Sequence, residues 1–329
     1  MNNNPSKVKL INKAFNFHAQ GNFKEAAKYY QNFIDKGFKD ERVFSNYGVI
    51  LKDLGKLKDA ELSQRKAIEL NPNYANAYSN LGNILKDLGK LKEAEVSTRK
   101  AIELNPNYAI AYSNLGNILK DLGKLKEAEV STRKAIELNP NYAIDYSKLG
   151  NILKDLGKLK DAEVSIRKAI QLNPDLANAH CNLGNVLNDL GKLKDAEVST
   201  RKAIQLNPNL AIAHYNLGLI LKSLGKLKNA EVSTIKAIEL DPSLSVAYFS
   251  LSTHKLSNKN KIWRDELFSA NLLKNKSKKD QVNIYFARAN ILHSESNFKE
   301  SAKYLESANN LKQNLNRCNI KYLLNKSKK

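Results

Sequence analysis

The chain has 329 residues and a formal charge of +21, from 54 Lys and Arg against 33 Asp and Glu. Hydrophobic residues make up 42%, too many for a wholly disordered chain, yet no stretch reaches the ~20 apolar residues of a membrane helix. Two cysteines, Cys181 and Cys318, are too few for a disulfide framework and stand in no metal-ligand spacing.

The opening MNNNPSKVKL is polar and has no apolar h-region, so no secretory signal is expected and the cytoplasm is the expected compartment. Residues 1–6 read as a polar tail. Residues 7–40 read as an imperfect helical hairpin, with Gly21, Phe23, Ala26, Tyr30 and Phe33 in register but no closing proline.

From 41 to 244 the sequence repeats. Six of the seven prolines fall at 72, 106, 140, 174, 208 and 242, in steps of 34. Glycines keep the same beat in pairs: Gly48/Gly55, Gly82/Gly89, Gly116/Gly123, Gly150/Gly157, Gly184/Gly191 and Gly218/Gly225. Tyr78, Leu81, Gly82 and Leu85 lie at i, i+3, i+4 and i+7, one face of a helix. Gly82 lets a neighbouring helix approach, and Gly89 sits where a helix end wants a left-handed residue. A second helix carries Leu91, Ala94, Thr98, Ala101 and Ile102 on one stripe. Glu93 and Glu95 lie early in it and Arg99 and Lys100 late, which suits the helix dipole. Asn105-Pro106-Asn107 ends it. Each unit is thus a helical hairpin, and one hairpin cannot bury both faces, so copies must stack.

Residues 245–315 read as two degenerate hairpins. In 245–278 Ser252 replaces the first glycine, and Trp263, Leu267 and Ala270 suggest a second helix slipped by one residue. The segment 282–315 has Tyr285, Ala289, Leu292, Phe298, Leu305 and Ala308 in register. Residues 316–329 read as a basic tail. The net charge is +4 over 1–40, +6 over 41–244 and +11 over 245–329, so the regular repeats are nearly balanced. The basic set is 45 Lys and only 9 Arg, which weighs against nucleic acid, where Arg makes the bidentate contacts. An acidic partner at the C-terminal region is the sharper reading of that excess.

The 34-residue unit resembles the tetratricopeptide repeat (TPR). Tyr78, Leu81, Gly82, Leu85, Ala94, Ala101 and Pro106 match the family's preferred types. Thr98 departs, where the family prefers a large aromatic. The resemblance implies an all-α fold: a right-handed superhelical α-solenoid of antiparallel hairpins, about nine of them, with first helices lining a concave side. Two positions of that side are filled in a regular way. The sixth holds Asn46, Asn80, Asn114, Lys148, Asn182 and Asn216. The ninth holds Asn83, Asn117, Asn151 and Asn185, flanked by Val49 and Leu219. Positions i and i+3 share a helix face, so the rows run side by side. An amide offers donor and acceptor together, so it pairs with the backbone of an extended peptide without reading its side chains.

The YSNLGN motif also resembles the TPR region of O-linked N-acetylglucosamine transferases, which implies an asparagine ladder that binds polypeptide backbone. That carries to Asn46, Asn80, Asn114, Asn182 and Asn216, while Lys148 breaks the row. The segment IYFARANILHSESNFKESAKYLESANNLK resembles the closing repeat of bacterial TPR–sulfotransferase proteins, but residues 316–329 hold no phosphate-binding loop. GNILKDLGK has the wrong spacing for a phosphate loop and recurs in every repeat. His180 and His214 stand at the aromatic position of their repeats and read as packing residues. Cys181 has no paired base. Carboxylate pairs such as Glu93/Glu95 read as solvated faces. The expected function is therefore a non-enzymatic scaffold for a protein or extended peptide, with no catalytic residue, metal or cofactor and no membrane partner. The alternative is the recognition half of a TPR-linked glycosyl- or sulfotransferase system.

Overall fold

The computed structural model describes residues 5–253, 262–274 and 276–326. Among the described residues there are eighteen α-helices, one 3-10 turn and no strand. The architecture is an α-solenoid of helix hairpins, divided into two compact units, Met1–Leu172 and Asn173–Lys329.

The first unit holds α1 (Pro5–Ala19), α2 (Phe23–Asp35), α3 (Glu41–Asp53), α4 (Leu57–Leu70), α5 (Ala75–Asp87), α6 (Leu91–Leu104), α7 (Ala109–Asp121), α8 (Leu125–Leu138), α9 (Ala143–Asp155) and α10 (Leu159–Leu172). They pack as five hairpins, and each first helix from α5 on also packs on the first helix before it. The first helix begins at Pro5, inside the stretch read as a tail. Proline's fixed φ suits a helix start, where its missing N–H costs nothing. Residues 1–4 lie outside the described residues.

The turns follow from the repeat's punctuation. At the end of α5 the Gly89 N–H donates to Lys86 O at 2.9 Å and the Lys90 N–H to Leu85 O at 2.8 Å. This is a Schellman closure, and Gly89 takes the φ of +77° it demands. Between hairpins, Asn105 Oδ1 accepts from the Asn107 N–H at 3.2 Å across Pro106, so the side chain builds the turn where the helix stops.

Packing within a hairpin rests on close approach. A Cβ on Gly82 would lie 2.0 Å from Thr98 Oγ1, so the small Thr fits tightly against the glycine backbone. That is the physical setting of the departure from an aromatic at this position. Ser97 Oγ donates to Tyr78 O at 2.9 Å and ties the two helices again. Between hairpins, the tenth residue of each first helix completes the previous core. Ile118 joins Leu81, Leu85 and Ala94, and Ile152 joins Leu115, Leu119 and Ala128. Each of these isoleucines is fully buried, worth about 1.5–3 kcal/mol apiece. The N-terminal hairpin is richer in rings: Tyr30 and Phe33 are buried among Phe15, Phe17, Tyr29 and Phe38.

The second unit holds α11 (Ala177–Asp189), α12 (Leu193–Leu206), α13 (Ala211–Ser223), α14 (Leu227–Leu240), α15 (Ser245–Ser252), α16 (Ile262–Phe268), a 3-10 turn at Asn271–Leu273, α17 (Lys278–Ser294) and α18 (Phe298–Lys326). Hairpins α11/α12, α13/α14 and α17/α18 are regular. The stretch 245–278 departs from the slipped hairpin expected of it. The short α15 packs chiefly on α17, and α16 touches α17 and α14. Trp263 and Leu267 are buried as expected, but α16 ends at Phe268 and Ala270 is exposed beyond it. Arg288 of α17 holds that end: its guanidinium, 5% exposed, donates to Leu267 O at 2.8 Å and Ser269 O at 2.9 Å.

Helix α18 runs on to Lys326, through most of the segment read as a basic tail. No glycine or proline stands between Phe298 and Lys329, so nothing in the chain stops it. Residues 327–329 lie outside the described residues.

Candidate functional site

The two asparagine rows do different things. In the first unit the sixth-position amides are spent on the preceding repeat. Asn80 Nδ2 donates to Ser45 Oγ at 3.2 Å, and Asn114 Nδ2 to Ser79 Oγ at 3.0 Å. Asn46 has no such serine and donates to the Tyr30 hydroxyl at 3.3 Å. That hydroxyl also meets His18 Nδ1 at 3.1 Å, and burial pushes the Tyr30 phenol up to about 12. In the second unit Asn216 Nδ2 donates to Cys181 Sγ at 3.3 Å, and Asn182 is half-buried. Asn114 and Asn216 are 8% and 6% exposed. Asn80 and Asn114 in the first unit and Asn216 in the second are therefore inter-repeat rungs whose N–H donors face the preceding hairpin.

The serines that accept these bonds went unnoticed in the sequence. The signal was present: Ser precedes Asn in each YSN triplet, so each Asn stands 35 residues after a Ser. The same rung recurs in the degenerate end of the second unit. Asn283 Nδ2 donates to Ser245 Oγ at 3.3 Å and Asn290 Nδ2 to Ser252 Oγ at 3.1 Å. The separation there is 38 residues, which hides it from a search at the 34-residue beat.

Lys148 breaks the row for a structural reason. In its repeat the third residue is Asp145, where neighbouring repeats have Ala77 and Ala111. Asp145 is 1% exposed, and Ser113 Oγ donates to its carboxylate. Lys148 Nζ lies 3.4 Å from that carboxylate and also donates to Ser113 Oγ. A buried carboxylate needs a partner, and the lysine supplies one while keeping the bond to the serine.

The ninth row is open. Asn83, Asn117 and Asn151 in the first unit are part-exposed, as is Asn185 in the second. Among the described residues none of these four side chains takes up a hydrogen bond. Beside them Lys86 pairs with Asp87 at 2.8 Å and Lys120 with Asp155 at 4.0 Å.

A groove of about 710 Å³ lies on the opposite side of α7, between α6 and α8. Ile102, Tyr112, Leu115 and Leu119 floor it, and Arg99 and Glu127 bridge its walls at 2.9 Å. On the second helices Glu95 is 14% exposed and takes bonds from Arg99 and, across the repeat boundary, Lys124. This corrects the expectation of a solvated face for Glu95, while Glu93 is exposed as expected. Glu129 makes the same contacts with Arg133 and Lys158. Burial opposes ionisation of Glu95, but the bonds from Lys124 and Arg99 outweigh it and hold the carboxyl below its usual range.

His180 and His214 stand where packing was expected. Each places Nε2 2.9 Å from the carbonyl six residues earlier, Pro174 O and Pro208 O, where an Nε2–H donates to the carbonyl oxygen. Cys181 is 3% exposed, and burial pushes its thiol up to about 11, which suits an acceptor of the Asn216 bond and not a nucleophile. Among the described residues no group of three His, Cys, Asp or Glu is arranged to hold a metal, and no helix is long and apolar enough to cross a membrane.

Comparison with known families agrees with this hairpin geometry. The "Tetratricopeptide repeat" model matches residues 75–108, 109–142, 177–210 and 211–244, and the "TPR repeat" model matches 48–89 and 150–191. Together they span more than half of the chain. The chain belongs to the tetratricopeptide repeat family.

Solved structures place TPR proteins of wide origin beside it. A tetratricopeptide repeat protein from Parabacteroides merdae superposes with a TM-score of 0.62 at 19% identity, over 75% of this chain and 98% of its own. The Cut9–Hcn1 hetero-tetramer of APC/C matches at 0.62 and 15% identity, over 91% of this chain and 55% of the other. At these identities the likeness shows the TPR fold alone. YrrB, described as a TPR protein with an unusual peptide-binding site, is 28% identical over 57% of this chain and 96% of its own, with a TM-score of 0.43. No protein with a curated description matches the chain.

Proposed function

We propose that the chain is a non-enzymatic scaffold that holds an extended peptide or protein segment on its first-helix face. Asn83, Asn117 and Asn151 bind the peptide backbone, each with one donor and one acceptor group. Asn46, Asn80, Asn114 and Lys148 set the spacing of that row by clamping consecutive repeats. In the second unit Asn185 is the binding residue and Asn216 the clamping one. One observation carries this reading. The ninth-position amides are part-exposed and without side-chain partners, while the sixth-position amides beside them are committed to the neighbouring hairpin. An amide in a helix interior brings no stability of its own, so an open row of them marks a surface kept for contact. The alternative, a recognition half serving a separate transferase, uses the same face and has no observation of its own.

The test uses the immobilised chain and an arrayed library of random peptides. Replacing Asn83, Asn117 and Asn151 together with Ala should remove most binders while helicity by circular dichroism stays unchanged. Binders that persist in the triple variant would sink the assignment.

A further inference from the structure

The first-helix face of α5, α7 and α9 stands apart in its charge. The whole chain is at +21, yet these three helices carry Lys86, Lys120, Lys148 and Lys154 against Asp87, Asp121, Asp145 and Asp155, a balance of zero. The lysines are also tied. Lys86 is 2.8 Å from Asp87, Lys120 4.0 Å and Lys154 3.6 Å from Asp155, and Lys148 3.4 Å from Asp145. The face offers no uncompensated cation to an acidic peptide.

The second position of the same helices changes where the rest is copied. It is Asn76 in α5 but Ile110 in α7 and Ile144 in α9. Ile110 is 58% exposed and Ile144 38%, and Tyr142 just before it is 42% exposed. Faithful copying of repeats does not account for an isoleucine that replaces an amide. An apolar shelf therefore lies on successive helices beside the amide row.

The spacing selects the shape of what lies there. Packed helices sit about 8–10 Å apart, so the amides recur at about that interval along α5, α7 and α9, and the isoleucines once at that interval between α7 and α9. Same-face side chains of a β-strand recur every ~6.7 Å and fall out of step. A polyproline-II segment turns once in three residues and rises ~9.3 Å, which keeps step. It also makes no hydrogen bonds of its own, so its backbone groups are free for amides.

We infer that this face takes an uncharged polyproline-II segment with an aliphatic side chain at every third residue. Those side chains seat over Ile110 and Ile144, and Asn83, Asn117 and Asn151 hold the backbone. The inference rests on the peptide-binding reading above and names its ligand class.

Fluorescence anisotropy on the full chain tests it with three labelled peptides: repeated Val-Pro-Ser, the same composition with the Val spacing scrambled, and repeated Glu-Pro-Ser. Repeated Val-Pro-Ser should bind roughly tenfold tighter than either other peptide. The double variant Ile110→Asn/Ile144→Asn, which carries the residue found at Asn76, should abolish that preference. Asn117→Ala/Asn151→Ala should weaken every peptide. Equal binding of the three, a preference for the Glu peptide, or no binding at all would overturn the inference. So would loss of binding with Val130→Glu, at the opposite groove, and not with the isoleucine variant. Binding that depends on the amides but ignores spacing and isoleucines overturns the ligand class alone. Binding that ignores the amides overturns the scaffold face as well.

Discussion

Lys148 and Asp145 compensate each other. The ammonium stands 3.4 Å from a carboxylate that is 1% exposed, and both groups reach the hydroxyl of Ser113. The two residues are the points at which this repeat departs from Ala and Asn, and they depart together. Removal of either alone leaves a charge without its partner in a largely covered site.

Lys148→Asn should cost about 2–3 kcal/mol, because Asp145 then stays buried without its cation. Asp145→Ala should cost about 1 kcal/mol, since the freed Lys148, 24% exposed at its side chain, turns toward water. The double variant restores the residues of the neighbouring repeats and should unfold close to the original chain. Urea unfolding of the four proteins gives the coupling. Simple addition of the two losses in the double variant would contradict the pairing.

Gly150 and Gly116 hold the same place in successive repeats but face different residues. A Cβ on Gly150 would come within 2.2 Å of Ile166 Cγ1 and 3.2 Å of Ala162 O. A Cβ on Gly116 would come within 2.2 Å of Thr132 Oγ1, with Ala128 O at 3.5 Å. Alanine gains about 1 kcal/mol over glycine inside a helix. Gly116→Ala forces the buried, β-branched Thr132 to shift and should cost about 1 kcal/mol net, and Gly150→Ala should cost about 2 kcal/mol by overpacking a buried isoleucine. Thermal melts of the two variants distinguish them, and an equal response would be against this packing.

The carboxylates of the second helices make the fold acid-sensitive. Lys90 and Arg65 hold Glu61 below the usual range, and Lys158 and Arg133 do the same for Glu129. A depressed carboxyl adds stability that is fully present above its unfolded pKa, about 4.3, and is lost as pH falls through the lower folded value. Melting temperature should be flat above about pH 5 and drop below about pH 4. Glu95→Gln/Glu129→Gln should lower it at neutral pH and flatten the drop. An unchanged acid limb would show that other groups set it.

Arg288 should be the anchor of α16. Its two bonds to Leu267 O and Ser269 O are charge-assisted, and its guanidinium stacks 5.8 Å from the Phe268 ring and 5.5 Å from the Tyr304 ring. Arg288→Lys keeps the charge but loses the planar fork, and should cost about 2 kcal/mol. Hydrogen exchange should rise in residues 262–273 while α11 and α12 stay protected. Uniform exchange across the second unit would point to a general loss of packing.

The hairpins were legible because their causes are local. Gly89 marks a left-handed turn, Asn105-Pro106 a stop, and Tyr78, Leu81 and Leu85 a buried stripe, whatever else surrounds them. The stretch 245–278 departs from a regular hairpin because its glycine and proline signals are gone, and α15 is held instead by α17 through bonds between residues 38 apart. The end of α18 was misread for the opposite reason. A basic composition suggested a tail, while the absence of any breaker let the helix run on.

Sequence alone determined that this chain folds as stacked TPR hairpins, because each hairpin's turn, stripe and stop lie within 34 residues. It also marked Asn80, Asn83, Asn114 and Asn117 as a pattern. Only the tertiary structure decided which of them are free. The repeat beat contains the 35-residue spacing of Ser and Asn, but whether the two meet is set by how one hairpin sits on the next. Stacking spends Asn80 on Ser45 and Asn114 on Ser79, binds Lys148 to Asp145, and leaves Asn83 and Asn117 part-exposed without a side-chain partner.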